Sequence, residues 1–274
     1  MTESNYDIRK IQMADLNLFK SLIKIFEKHN LTYFLSGGTF LGAVRHEGFI
    51  PWDDDIDISM PRKDYEKFLG LYLDELPKHI EVVNFHIDPE YKYYITRVLN
   101  TDVNVREIRT GDVTNPAVDI LPLDGAPNNL LIRNWYYFKI MTLRALISLS
   151  YRDNIDQARK RSTFEKLVIR IGLLIPINKM FNPHELKMRL DKEMQKYKME
   201  NSKYSGCLMG AYRTNQMVPT EWFSDGNKYK FEDIEVNGPK NYEGYLTQMY
   251  GEFMKMPSQE KIKEKNHYEL LKEE

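Results

Sequence analysis

Apolar residues across positions 8–29 return at helical spacing (Ile11, Leu16, Phe19, Leu22, Ile23, Phe26), which predicts an amphipathic helix lying as a lid on a sheet. Positions 32–35 form a short β-branched and aromatic run that stops at Ser36-Gly37-Gly38, with Thr39 placed to cap a helix running through Arg45. The expected unit is strand, glycine turn, helix. After a loop, Asp alternates with Ile or Met over 55–60, the period of a strand with one polar face, and Pro61 ends it. Tyr65, Phe68, Leu69, Tyr72, Leu73 and Leu76 predict another helix, followed by strand-like runs at 80–85, 93–99, 103–108 and 117–121. From 127 to 197 the pattern is mostly helical, broken near Asp153, at Pro176 and at Pro183. A two-strand patch at 229–236 and a helix at 242–250 precede a tail rich in lysine and glutamate.

This succession predicts an α+β fold: a mixed sheet core with flanking helices and a helical C-terminal half. We divide it into a catalytic core, 1–127, and a mainly helical region, 128–274, that completes the substrate site. A hydrophobic fraction of 42% and a charged fraction of 29% are those of an ordinary globular chain of 274 residues. With 39 basic against 40 acidic residues there is no field to gather long nucleic acids by counterion release, so a nucleic-acid partner is not expected. A single cysteine, Cys207, and an opening MTESNYDIRK without a basic-then-apolar segment lead us to expect a cytoplasmic protein. The longest apolar stretch, 167–177, contains Arg170 and is about half the ~20 residues of a spanning helix. That stretch and 143–149 fit a buried helical core better than a peripheral contact with the inner face of a membrane, the second reading we carry.

The segment 53–57 concentrates four carboxylates, Asp53, Asp54, Asp55 and Asp57, in five residues, a repulsive arrangement unless solvent or a cation compensates. On a strand, Asp55 and Asp57 share a face with Cα atoms about 6.6 Å apart, close enough to converge on one hard cation. A solvated acidic turn is the plain alternative. An EF-hand is a second, since Asp53, Asp55 and Asp57 take ligand positions one, three and five, but Ile58 falls where the loop needs glycine. Ser36-Gly37-Gly38-Thr39 offers bare amides at a helix start, able to hold phosphate oxygens or simply to turn the chain. Arg45 could pair with phosphate or complement a helix dipole. Asp119 is one acid in an otherwise apolar strand and needs a metal or a bound hydroxyl as partner, as third ligand or general base. Asp124, in Pro122-Leu123-Asp124-Gly125, reads as a turn residue.

Taken together, Leu35-Ser36-Gly37-Gly38-Thr39, Leu41-Gly42-Ala43-Val44-Arg45, the run Gly48-Phe49-Ile50-Pro51-Trp52-Asp53-Asp54-Asp55-Ile56-Asp57 and Val118-Asp119-Ile120-Leu121-Pro122-Leu123-Asp124-Gly125 resemble the LicD family. Met249-Tyr250-Gly251-Glu252-Phe253 through Pro257 is similar to that family's C-terminal segment. The resemblance implies a nucleotidyltransferase-like core of the polymerase-β type. It implies transfer of phosphocholine from CDP-choline to a hydroxyl of a cell-surface glycan precursor, of teichoic acid or lipopolysaccharide type, with release of CMP. Fukutin-type relatives use CDP-ribitol. By the same resemblance Asp55 and Asp57 are paired ligands of Mg²⁺, with Mn²⁺ as the alternative, Asp119 is the third acid, and Gly37 and Gly38 lie on the phosphate side. Ser36, Thr39 and Arg45 join them as expected donor-binding residues. A glycan acceptor, lipid-linked in one version, and a choline cage drawn from Tyr91, Tyr93, Tyr94, Tyr212 and Trp222 complete the expectation. The rival readings are a D-x-D nucleotide-sugar glycosyltransferase and a non-catalytic nucleotide-binding protein.

Overall fold

The computed structural model describes residues 3–108, 111–151, 180–258, 262 and 268–271. Helix α1 (Glu3–Lys28) buries Ile11, Leu16, Phe19, Leu22 and Phe26, the stripe expected of a lid. It leads through β1 (Phe34–Leu35) into α2 (Gly37–His46), β2 (Ile56–Pro61) and α3 (Arg62–Glu75). Strands β3 (Ile80–Val83), β4 (Thr96–Asn100), β5 (Val105–Glu107), β6 (Val113–Thr114) and β7 (Ala117–Gly125) follow. Helices α4 (Leu130–Ser150) and α5 (Pro183–Met194) precede β8 (Tyr204–Gly206), β9 (Val218–Pro219), β10 (Asn227–Phe231), β11 (Ile234–Gly238), α6 (Tyr242–Tyr250) and β12 (Tyr268–Leu270).

The main sheet runs β1-β2-β7-β4-β3, with β8 and β9 added at the far end of β7. Among the described residues only β2 and β7 are parallel within it; the other pairs are antiparallel, so the sheet is mixed. All nine residues of β7 are buried, which explains its nearly unbroken apolar run: a central strand covered on both faces has no solvent side to mark with polar residues. One apolar cluster joins α1, β1, α2, β2, α3 and β7 to Val218, Phe223, Phe231, Val236, Tyr245 and Leu246 from late in the chain. A second packs α4 and α5 on Phe85, Leu121, Cys207, Leu208 and Met217.

Several expectations need correction. The first strand is only two residues long, because Thr32 and Tyr33 do not pair with β2. The cap position of α2 is Ser36, not Thr39, which lies inside the helix. Asp124 belongs to β7 and meets Arg62, so Pro122-Leu123-Asp124-Gly125 is strand and not turn. Within the charged tail a strand appears that the sequence reading did not include: Tyr268–Leu270 pairs with β5. In the 143–149 run, Leu143, Ile147 and Leu149 are buried, which answers the membrane reading there in favour of core. Residues 167–177 and the breaks near Asp153 and at Pro176 lie outside the described residues. The break at Pro183 is real, as the first position of α5 behind an Asn182 cap whose side chain accepts from His184 and Glu185 N–H groups.

Candidate acidic active site

The parallel register of β2 and β7 sets Asp57 opposite Asp119. Side chains in register on neighbouring strands, about 4.8 Å apart, point to the same face, so these two acids share one side of the sheet. Ile56 and Ile58 turn to the opposite side and are fully buried, which anchors the strand. Thr39 and Ser36 hold the Asp57 backbone from α2: the Asp57 N–H donates to Thr39 Oγ1 at 2.8 Å, and the Ser36 N–H donates to the Asp57 carbonyl at 3.0 Å.

Two glycines let that helix start lie directly on the carboxylates. A Cβ on Gly37 would stand 2.6 Å from Asp57 Oδ2, and one on Gly38 would stand 2.5 Å from Asp53 Oδ2. Gly37 also has φ of +54°, a left-handed conformation costly for any residue with a Cβ. The partial positive charge of the α2 N-terminus therefore faces Asp53 and Asp57.

Burial pushes the Asp57 carboxyl well above the usual carboxylate range, and the charges of Asp55, Asp119 and Asp53 push it further against the opposing pull of Arg97. A negative cluster of this kind calls for positive charge. Arg97 supplies some: its Nε donates to Asp119 Oδ1 at 3.0 Å, and a second guanidinium nitrogen donates to the Tyr268 hydroxyl. Asp54 is tied from the same late strand, accepting the Tyr268 N–H at 2.9 Å.

Among the described residues no three or more His, Cys, Asp or Glu side chains are grouped to hold a metal ion by themselves. Mg²⁺ rarely asks for that; it takes one or two carboxylates and completes its shell with water and substrate phosphate oxygens. Asp57, crowded by the charges of Asp55, Asp119 and Asp53 and lying beside the Gly37 backbone, has the chemistry for a cation that arrives with a diphosphate.

Arg45 stands in the last turn of α2, roughly 10 Å along the helix from Gly38 at 1.5 Å per residue. Its guanidinium donates to the Phe253 carbonyl at 3.0 Å and to His46, so it fastens the segment after α6 while adding positive charge toward Asp53. The aromatic candidates scatter. Tyr94 lies under Arg144 and Trp222 against Gly244, while the Tyr93 face is occupied by Arg97 at 5.8 Å from the ring centroid. Tyr91 packs on Tyr93, and Tyr212 packs edge-on against Tyr250 with ring centroids 5.4 Å apart. Of these, Tyr212 is the ring that feels Asp57, Asp53 and Asp55.

Three participants escape a reading of the sequence: Arg97, Tyr268 and Asp15. Asp15 is fully buried on α1, both carboxyl oxygens lack a hydrogen-bond partner, and burial with Asp55, Asp54 and Asp119 pushes its pKa well up. A signal existed, because Asp15 falls four residues after Ile11 and four before Phe19 on the apolar stripe of α1.

Fold and site together define an α+β domain whose central parallel strand pair carries aspartates beneath a glycine-floored helix start. The chain matches the LicD/FKTN/FKRP nucleotidyltransferase domain over residues 30–144. It is 28% identical over 262 residues to the lipopolysaccharide cholinephosphotransferase LicD of Haemophilus influenzae, covering 92% of this chain and 93% of that protein. A shorter stretch of 55 residues is 36% identical to the ribitol 5-phosphate transferase FKRP of mouse and of human, 20% of this chain and 9% of theirs.

Proposed function

We propose that this chain is a phosphocholine transferase with a nucleotidyltransferase-like core, moving the group from CDP-choline to a hydroxyl of a cell-surface glycan precursor and releasing CMP. The observation that carries the reading is the register of Asp57 with Asp119 beside the bare amides of Gly37 and Gly38. Similarity to a cholinephosphotransferase along nearly the whole chain supports the choline end.

The residues divide the work as follows. Gly37 and Gly38 allow donor phosphate oxygens to approach the α2 N-terminus, where N–H groups are free of helical partners. Asp55 and Asp57 would hold Mg²⁺, or Mn²⁺ in its place, and Asp119 would complete that set or accept the proton of the attacking hydroxyl. When bound, the ion neutralises charge on the transferring group and on the departing CMP oxygen. Arg97 fixes the Asp119 carboxylate by a charge-assisted hydrogen bond, so the base is oriented before the acceptor arrives. Attack in line on the choline-side phosphorus breaks its bond to the bridging oxygen and needs no covalent enzyme intermediate. Late-chain residues on β9, β10, β11 and α6 pack into the same apolar cluster as the 1–127 core, which supports a C-terminal region, strand as well as helix, that completes the substrate site.

The test is incubation with Mg²⁺, CDP-choline, CDP-ribitol or CDP-glycerol and a lipopolysaccharide-type or teichoic-acid-type acceptor, reading CMP and a phosphodiester product. Preference for CDP-choline is expected. Ribitol phosphate transfer is the second reading, favoured by the stretch shared with the FKRP proteins, and a reversed donor preference would select it. Turnover of a nucleotide sugar in its place would refute both.

A further inference from the structure

The N-terminal half of α4 turns an apolar stripe to solvent. Leu130, Leu131, Ile132, Trp135 and Phe138 are 59, 78, 53, 67 and 61% exposed. Single exposed apolar residues are ordinary, but a contiguous group is not. Leu131, Trp135 and Phe138 recur at i, i+4 and i+7, so they line one face, and the Trp135 and Phe138 rings stack at 5.5 Å with 25° between planes. The helix already spends another face on the core through Tyr136, Ile140, Leu143 and Ile147.

Charge narrows what covers the outer face. The 21 residues of α4 include no Asp or Glu but carry Arg133, Lys139 and Arg144. A groove beside the stripe is lined by Ile132 together with Lys196 and Lys198. Lys139 and Lys196 share one carboxylate, Glu193, at 2.7 and 2.8 Å, so a positive excess remains beside the stripe, and apolar aromatic residues in that setting suit an interface whose headgroups are anionic and whose interior is hydrocarbon.

We propose that this face of α4 rests on an anionic lipid surface, with Leu131, Trp135 and Phe138 inserted at the headgroup boundary and Lys198 toward lipid phosphates. The reason for a lipid to be there rests on the proposed function, since an acceptor glycan carried on a lipid is presented at a bilayer. The geometry agrees with such an acceptor: from Asp119 to Gly125, β7 spans roughly 20 Å at strand rise before the chain turns into α4. That separation leaves room for the saccharide between its anchor and the acids. The contact replaces the one considered at 143–149, where Leu143, Ile147 and Leu149 are core.

The experiment is co-sedimentation of the full chain with vesicles of phosphatidylglycerol and phosphatidylcholine, and with phosphatidylcholine alone. Binding to the anionic vesicles only is expected, with a blue shift of tryptophan emission that disappears in Trp135→Phe. The combined variant Leu131→Gln, Trp135→Gln, Phe138→Gln should lose at least tenfold in vesicle partition while CMP release with a lipid-free glycan acceptor is unchanged. A wild-type chain that stays in the supernatant, binds neutral vesicles equally, or binds undiminished in the triple variant overturns the proposal. So does a concentration-dependent dimer that the triple variant abolishes in the absence of vesicle binding. Vesicle binding without donor turnover would sink the functional reading and leave this surface standing.

Discussion

Arg97 on β4 and Asp119 on β7 are antiparallel partners, and the guanidinium Nε reaches the carboxylate at 3.0 Å while its far end holds the Tyr268 hydroxyl. One arginine thus joins the acid cluster to a strand near the end of the chain. Both side chains are largely shielded, at 14 and 13% exposure, so the pair sits where charge is poorly screened. Removing one partner of such a pair typically costs about 3–5 kcal/mol because the other charge is stranded. Arg97→Gln should show that loss in urea unfolding together with a fall in kcat. Undiminished kcat would mean that Asp119 needs no orientation.

Asp57→Asn should behave oppositely in stability. Its carboxyl carries a burden of burial and like charge, so removing the charge is expected to leave the melting temperature equal or higher. Turnover should drop by roughly 100- to 1,000-fold, the range for losing one preorganised electrostatic partner. CMP release and thermal unfolding measured on the same preparation check both halves.

Gly37→Ala adds a Cβ 2.6 Å from Asp57 Oδ2 at a φ of +54°. Strain of about 1–3 kcal/mol is expected, with loss of donor turnover, because the helix start must back away from the carboxylates. An alanine variant with full activity would show that the glycine amides do not approach the donor.

The choline end is tested at Tyr212, whose phenol feels the charges of Asp57, Asp53 and Asp55. Tyr212→Ala should raise KM for CDP-choline about fivefold or more, as expected when a cation–π contact of roughly 1 kcal/mol is lost, and leave KM for CDP-ribitol nearly unchanged. Equal effects on both donors would assign the ring to packing against Tyr250.

Acid should loosen the junction of the two apolar clusters. Arg62 donates to Asp124 and to Asp191, and Asp191 also meets His86 and Gln195. Burial alone would raise the Asp191 pKa, but the His86 hydrogen bond and the Arg62 charge outweigh it and hold it below the ordinary value. A depressed folded-state pKa gives stability that is present above the unfolded-state value and lost as pH falls through the folded one. Asp191→Asn should therefore cost about 1.5–3 kcal/mol near neutrality, with the gap from wild type narrowing below about pH 5. Chemical unfolding across that range measures it.

The repeating patterns fixed much by themselves. Helical spacing set α1, α3 and α6 and alternation set β2, but β2 begins at Ile56, so Asp55, expected as its first residue, precedes the strand and a period of two does not place it beside Asp57. Ser36-Gly37-Gly38 announced a close approach, though not what approaches. The tertiary structure decided the rest. That Asp57 meets Asp119 depends on a parallel register between strands far apart in the chain, and no local spacing encodes register. Arg97, Asp15 and Tyr268 reach the acids only because β4, α1 and a strand near the C-terminus fold onto one center. Burial turned Asp124 from an apparent turn residue into half of an ion pair, and packing set the start of α4 at the surface while Leu143, Ile147 and Leu149 of the same helix went to the core. Both are properties of what packs against a residue, which a one-dimensional pattern does not contain.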